Sequence, residues 1–142
     1  MTDTTQNATA EPSDQDKAAI AAIPQRIVAA WEKYDADAFA EVFTPEGTLI
    51  LPGVFEQGRE AIRAFVAAAW AGPFKGTRVT GAPVNIRFAG PEAGIVITQG
   101  GILNPGADEL TPERSVNASW VVVKRDGQWY LGAYQNTPRY AA

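Results

Sequence analysis

The chain has 142 residues, of which 46% are apolar and 20% charged, the size and balance of one globular domain with one core. Its 12 Lys and Arg against 16 Asp and Glu leave a net charge of −4, which gives nucleic acid no electrostatic footing. With no Cys and no His, disulfides, thiol nucleophiles, Ser-His or Cys-His dyads and most transition-metal sites are excluded.

The composition therefore predicts no metal and no other cofactor. No apolar run reaches the ~18 residues of a membrane span, so no membrane partner is expected. Neither a phosphate-loop string nor a G-x-G-x-x-G string occurs, and nucleotides are not indicated. Residues 1–15 are polar and lack a basic start and an apolar stretch. They read as a disordered tail rather than a secretory leader, which predicts a cytoplasmic chain with a single domain over residues 16–142.

Ile20, Ile23, Ile27, Ala30, Trp31 and Tyr34 recur at helical spacing and predict a first helix over residues 16–34. Pro24 removes the bond to the Ile20 carbonyl, so a bend, or a split at residue 22, is expected. Asp35 can cap a second short helix through residue 43, ended by Pro45 and Gly47. A strand TLILP, a turn at Gly53 and a strand VFEQ follow. A third helix then places Ile62, Phe65, Val66, Ala69 and Trp70 on one face, between Gly58 and Gly72.

From Thr77 onward the texture changes to four long strands, over residues 77–90, 93–102, 113–125 and 128–137, the last two joined by a tight turn at Asp126-Gly127. They read as an antiparallel meander. Gly81, Pro83, Gly100 and Gly101 inside the first two imply bulges or curvature. Helices followed by a long bent sheet describe an α+β domain, a cone-shaped curved antiparallel sheet wrapped around three N-terminal helices.

Acid/base chemistry in such a chain would fall to carboxylates, Tyr, Lys or bound water. Between residues 77 and 137 the carboxylates are Glu92, Asp108, Glu109, Glu113 and Asp126, all in turns, loops or strand ends. Glu41, Glu46 and Glu56 are the earlier candidates for a general base, each with a plain structural alternative on the surface or beside Arg59 or Arg63. The catalytic residues are left unassigned.

The last strands offer neutral groups instead. Strict alternation puts Trp129, Leu131, Ala133 and Gln135 on one face of the closing strand and Tyr130, Gly132, Tyr134 and Asn136 on the other. Asn117, Ser119, Gln135 and Asn136, with Gln99 from the preceding strand, are expected to gather at one end of the cone. There they could orient an apolar ligand by hydrogen bonds without ionising anything. The alternative is that they satisfy backbone groups or line a dimer interface. Trp31, Tyr34, Phe65 and Trp70 complete the candidate ligand-binding set, with Trp31, Phe65 and Trp70 as the cavity wall; plain core is the competing role. Arg87 and Arg114 are expected on the surface.

Asp35 with FAEVF, then PEGTLILP, then GREAIRAF, then VVVKRDGQWYLGAYQNT, in this order over residues 16–138, resemble the SnoaL-like group of the nuclear-transport-factor-like superfamily. The closing AYQNT most resembles its SgcJ/EcaC branch. The resemblance implies a cystatin-like roll, a homodimer through the outer sheet face and a pocket between sheet and helices. It also implies an association with enediyne or polyketide antibiotic biosynthesis. A ketosteroid isomerase of the superfamily uses an Asp base, a Tyr and a protonated Asp. Carried onto this chain, those positions hold Leu51, Ile27 and Ser119 or Trp120, so that chemistry is not available here. The expected function is a protein that binds and shelters a polyene, enediyne or polyketide-like intermediate in a hydrophobic pocket. The alternatives are a metal-free cyclase-, isomerase- or oxidoreductase-type enzyme and a dimeric scaffold whose aromatic residues fill the interior.

Overall fold

The computed structural model describes residues 12–141. In chain order the elements are α1 (Asp14–Glu32), α2 (Ala36–Glu41), β1 (Phe43–Leu51), β2 (Val54–Gln57), α3 (Arg59–Ala71), β3 (Arg78–Phe88), β4 (Ala93–Leu103), a 3-10 turn (Pro112–Arg114), β5 (Ser115–Arg125) and β6 (Gln128–Pro138). The expected tail is corrected at its inner end, and residues 1–11 lie outside the described residues. Ser13 opens α1 with a reciprocal capping box, in which the Asp16 amide donates to Ser13 Oγ at 3.0 Å and the Ser13 amide to Asp16 Oδ2 at 3.2 Å.

The split considered at Pro24 does not occur. α1 runs through it, because Ile20, Ile23 and Ile27 are buried on both sides of the lost hydrogen bond and tertiary packing, more than local bonding, holds a helix of this kind. No helix among the described residues is long and apolar enough to cross a membrane.

The strands form one six-stranded sheet in the order β2-β1-β6-β5-β4-β3, curved and unclosed, with the three helices completing an α+β fold. β3 to β6 make the expected meander. One pairing departs from the antiparallel expectation: β1 runs parallel to β6, and it starts at Phe43, beside Leu131, rather than at Thr48. The second helix stops at Glu41 rather than at residue 43, and Pro45 and Gly47 lie inside β1, in an irregular register between Phe43 and Thr48. The core joins Ile20, Ile23, Ile27 and Trp31 of α1, Ile62 and Val66 of α3, and Val96, Trp120, Val122, Trp129 and Leu131 of the sheet.

A second irregularity decides which residues face inward. Val121 pairs with Ala133 and Val122 with Leu131, so Gly132 is left over as a bulge. One extra residue reverses the side-chain parity of the strand beyond it. Trp129 and Leu131 are buried on the helix-covered face before the bulge, and Tyr134 and Asn136 share that face after it. The two-face assignment expected from unbroken alternation is therefore wrong past Gly132.

Candidate functional site

Between the sheet and α1 and α3 lies a cavity of about 280 Å³, at the low end of the volume of small-molecule sites. Pro24, Ile27, Val28 and Trp31 of α1 and Phe65 and Val66 of α3 form one wall. Leu49, Leu51, Thr98, Ala118, Trp120, Leu131, Tyr134 and Asn136 of the sheet form the other. Leu51 and Ile27 line it as apolar side chains, at the positions where the resemblance would have required an acid and a phenol.

The polar groups of this cavity are few and mostly committed. The Trp31 indole donates to Thr77 Oγ1 at 3.0 Å, and the Trp120 indole donates to Thr98 Oγ1 at 2.9 Å. Both tryptophans therefore show the cavity ring surface rather than a free donor. The Tyr134 ring stands edge-on to Trp120, with centroids 4.7 Å apart. Its hydroxyl accepts from Asn136 Nδ2 at 2.9 Å, while Asn136 Oδ1 is buried and has no partner. Burial raises the Tyr134 pKa above the ordinary phenol value, a shift the Asn136 hydrogen bond partly offsets, so the phenol is neutral across the physiological range.

Charge stands at the rim. Glu113 and Arg114, on the 3-10 turn, line the opening. Arg114 was expected on the surface, but it is half-buried and its Nε donates to Asn104 Oδ1 at 3.1 Å. The three earlier carboxylate candidates are elsewhere. Glu41 is exposed, Glu56 lies on β2 outside the cavity lining, and Glu46 pairs with Arg125, whose hydrogen bond holds its carboxyl below the usual range. Such a site can enclose an apolar body and meet one polar group in its interior; a proton-transfer role could fall to Glu113 at the edge.

The structure divides the nine candidate ligand-binding residues. Trp31, Phe65 and Asn136 line the cavity. Trp70 does not: it packs behind the wall against Trp31, Tyr34 and Phe39. Tyr34 also lies outside this lining: it follows α1 with φ 51°, is 43% exposed and donates its hydroxyl to the Thr77 carbonyl at 3.0 Å.

Gln99, Asn117, Ser119 and Gln135 do gather, but on the opposite face of the sheet. Gln99 Nε2 donates to Asn117 Oδ1 at 3.1 Å and Ser119 pairs with Gln135, alternating with the cavity-lining Thr98, Ala118, Trp120 and Asn136. Two residues were missed, Tyr134 and Trp120. The signal for Trp120 was ordinary alternation, Val116, Ala118 and Trp120 against Ser115, Asn117 and Ser119, and for Tyr134 it was the glycine two residues earlier.

Comparison with known proteins agrees with this architecture. A cystatin-like-fold protein of unknown function from Nostoc punctiforme superposes with TM-score 0.84 at 27% identity, over 91% of this chain and 80% of its own. An NTF2-like protein from Novosphingobium aromaticivorans gives 0.78 at 16% identity, over 90% and 84%. A protein from Erwinia carotovora described as ketosteroid isomerase-like gives 0.70 at 17%, over 91% and 100%. A search of curated proteins finds no match. Residues 13–135 match the SnoaL-like domain, and the chain belongs to this family.

Proposed function

We propose that this chain binds a small, largely apolar molecule in the cavity between the sheet and α1 and α3. The observation that carries the reading is a largely apolar cavity of about 280 Å³ whose indole donors are already used internally. A scaffold whose aromatic residues fill the interior would leave no such space. That the ligand is a polyene, enediyne or polyketide-like intermediate of bacterial secondary metabolism, met in the cytoplasm, rests on the resemblance of AYQNT to the SgcJ/EcaC branch. A cyclase-, isomerase- or oxidoreductase-type reaction on the same ligand is the second reading, and Glu113 at the rim is what favours it. The partner proposed for the protein itself is a second copy, through the outer face of the sheet.

Thermal melting with polyene and polyketide-type compounds tests the binding. A ligand at a hundred times its Kd stabilises by ~2.7 kcal/mol and should raise Tm by ~5–10 °C. Ala118→Leu, which fills part of the cavity, should reduce the shift. No shift with any compound, or an equal shift in the variant, would count against the cavity as the site.

A further inference from the structure

The interior polar pair of the cavity specifies more than an apolar ligand, and the inference rests on the cavity being the binding site. Asn136 Nδ2 donates to the Tyr134 hydroxyl, which leaves the phenolic proton free to donate and Asn136 Oδ1 buried and free to accept. Reversing the carboxamide exchanges the roles without changing the sum: Tyr134 would then donate to Oδ1, leaving its own lone pair as acceptor and Nδ2 as donor. In either orientation one donor and one acceptor stand side by side on a lining that is mostly apolar. We infer that this pair recognises a hydroxyl group, so that the ligand is a neutral alcohol, enol or phenol whose oxygen sits between Tyr134 and Asn136.

Other polar groups fit less well. A ketone accepts but does not donate, and would leave the acceptor unpaired. A carboxylate would bring a charge into a space that holds Tyr134 protonated, and one of its oxygens would face a lone pair. Among the described residues the one cation on the cavity lining is Arg114, at the rim and tied to Asn104. A single hydroxyl satisfies both members of the pair at one atom, because the two side chains already touch.

The test is equilibrium dialysis at pH 7 with three probes of one ring system, naphthol, naphthalene and naphthoate, against the wild type, Tyr134→Phe and Asn136→Leu. The wild type should hold naphthol about tenfold tighter than either other probe, the factor expected when a buried polar pair goes from unmet to met. Both variants should keep the naphthalene affinity and lose the preference. Tyr134→Phe preserves the shape of the site if Asn136→Leu fails to fold. Naphthalene bound as tightly as naphthol, or a preference unchanged in the variants, overturns the hydroxyl assignment and leaves the cavity reading standing. Tightest binding of naphthoate overturns it in favour of Arg114. No binding of any probe overturns both.

Discussion

Asp16 serves two structures with one carboxylate. It completes the capping box at the start of α1 and, through Oδ1, accepts from the Trp129 indole at 2.9 Å and from Lys124 Nζ at 3.1 Å. The first turn of α1 is thereby tied to the β5–β6 hairpin. The Trp129 hydrogen bond first, then Lys124 and the Ser13 amide, hold its pKa well below the usual carboxylate range. A depressed folded-state pKa means the stabilisation is fully present above the unfolded value of about 4 and is lost as pH falls below it toward the folded value. Asp16→Asn should therefore melt below the wild type at pH 7, and the gap should narrow at pH 3; a gap independent of pH would remove the ionised carboxylate from the explanation. Ser13→Ala, which takes out only the cap, should cost about 1 kcal/mol by urea unfolding at pH 7. Neither partner of Asp16 was legible in the sequence, because Trp129 and Lys124 lie more than a hundred residues away and only the closed sheet hairpin brings them to α1.

At the scale of the element, β4 shows what glycine does beside the cavity. A Cβ on Gly100 would stand 2.0 Å from the Thr80 carbonyl oxygen of β3, and one on Gly101 2.0 Å from the Arg114 carbonyl oxygen. These are backbone atoms that cannot swing aside, so Gly100→Ala must push β3 from β4 at the cavity wall. It should cost about 1–3 kcal/mol in urea unfolding. Gly132→Ala is the control: its nearest contact would be 3.5 Å away and its φ is not in the left-handed region, so it should stay within about 0.5 kcal/mol. If the two substitutions cost the same, the close approach is not what selects glycine in β4. The strands themselves were legible because their apolar runs are long and their turns carry Gly and Pro. The inward set was not, since a bulge at one glycine reverses parity for everything after it and brings Tyr134 and Asn136 onto the face of Leu131, from which strict alternation separates them. Gly132 between Leu131 and Ala133 was the available sign, but a glycine in a strand marks a bulge, a bend or a close approach without saying which.

For the whole molecule, the outer face of the sheet is the feature that the fold leaves to be covered. A cross-strand row runs Phe55, Ile50, Gln135, Ser119, Ile97, and a second runs Thr48, Ala133, Val121, Ile95. Phe55 is 62% exposed and Ile50 and Val121 are each 38% exposed, and the second row meets a charged side chain at its β3 end, where Ile95 pairs with Arg87. A sheet face turned to water normally alternates apolar with charged or strongly polar positions, and depletion of charge is what marks the centre of a protein interface. A second copy of the same face is a fitting cover, because neutral amides and β-branched side chains of this kind can pair with themselves across a two-fold axis. Sedimentation of the wild type should give twice the 15.2 kDa chain mass. Val121→Lys should split it: each copy would bury an unpaired ammonium, the isologous interface would meet it twice, and the dimer should weaken by at least about a hundredfold. Because Val121 points away from the cavity, the monomeric variant should hold naphthalene as the wild type does. A wild type that sediments as a monomer at high concentration would refute the pairing, and a variant that loses naphthalene binding along with its partner would show that the two faces of the sheet are not independent.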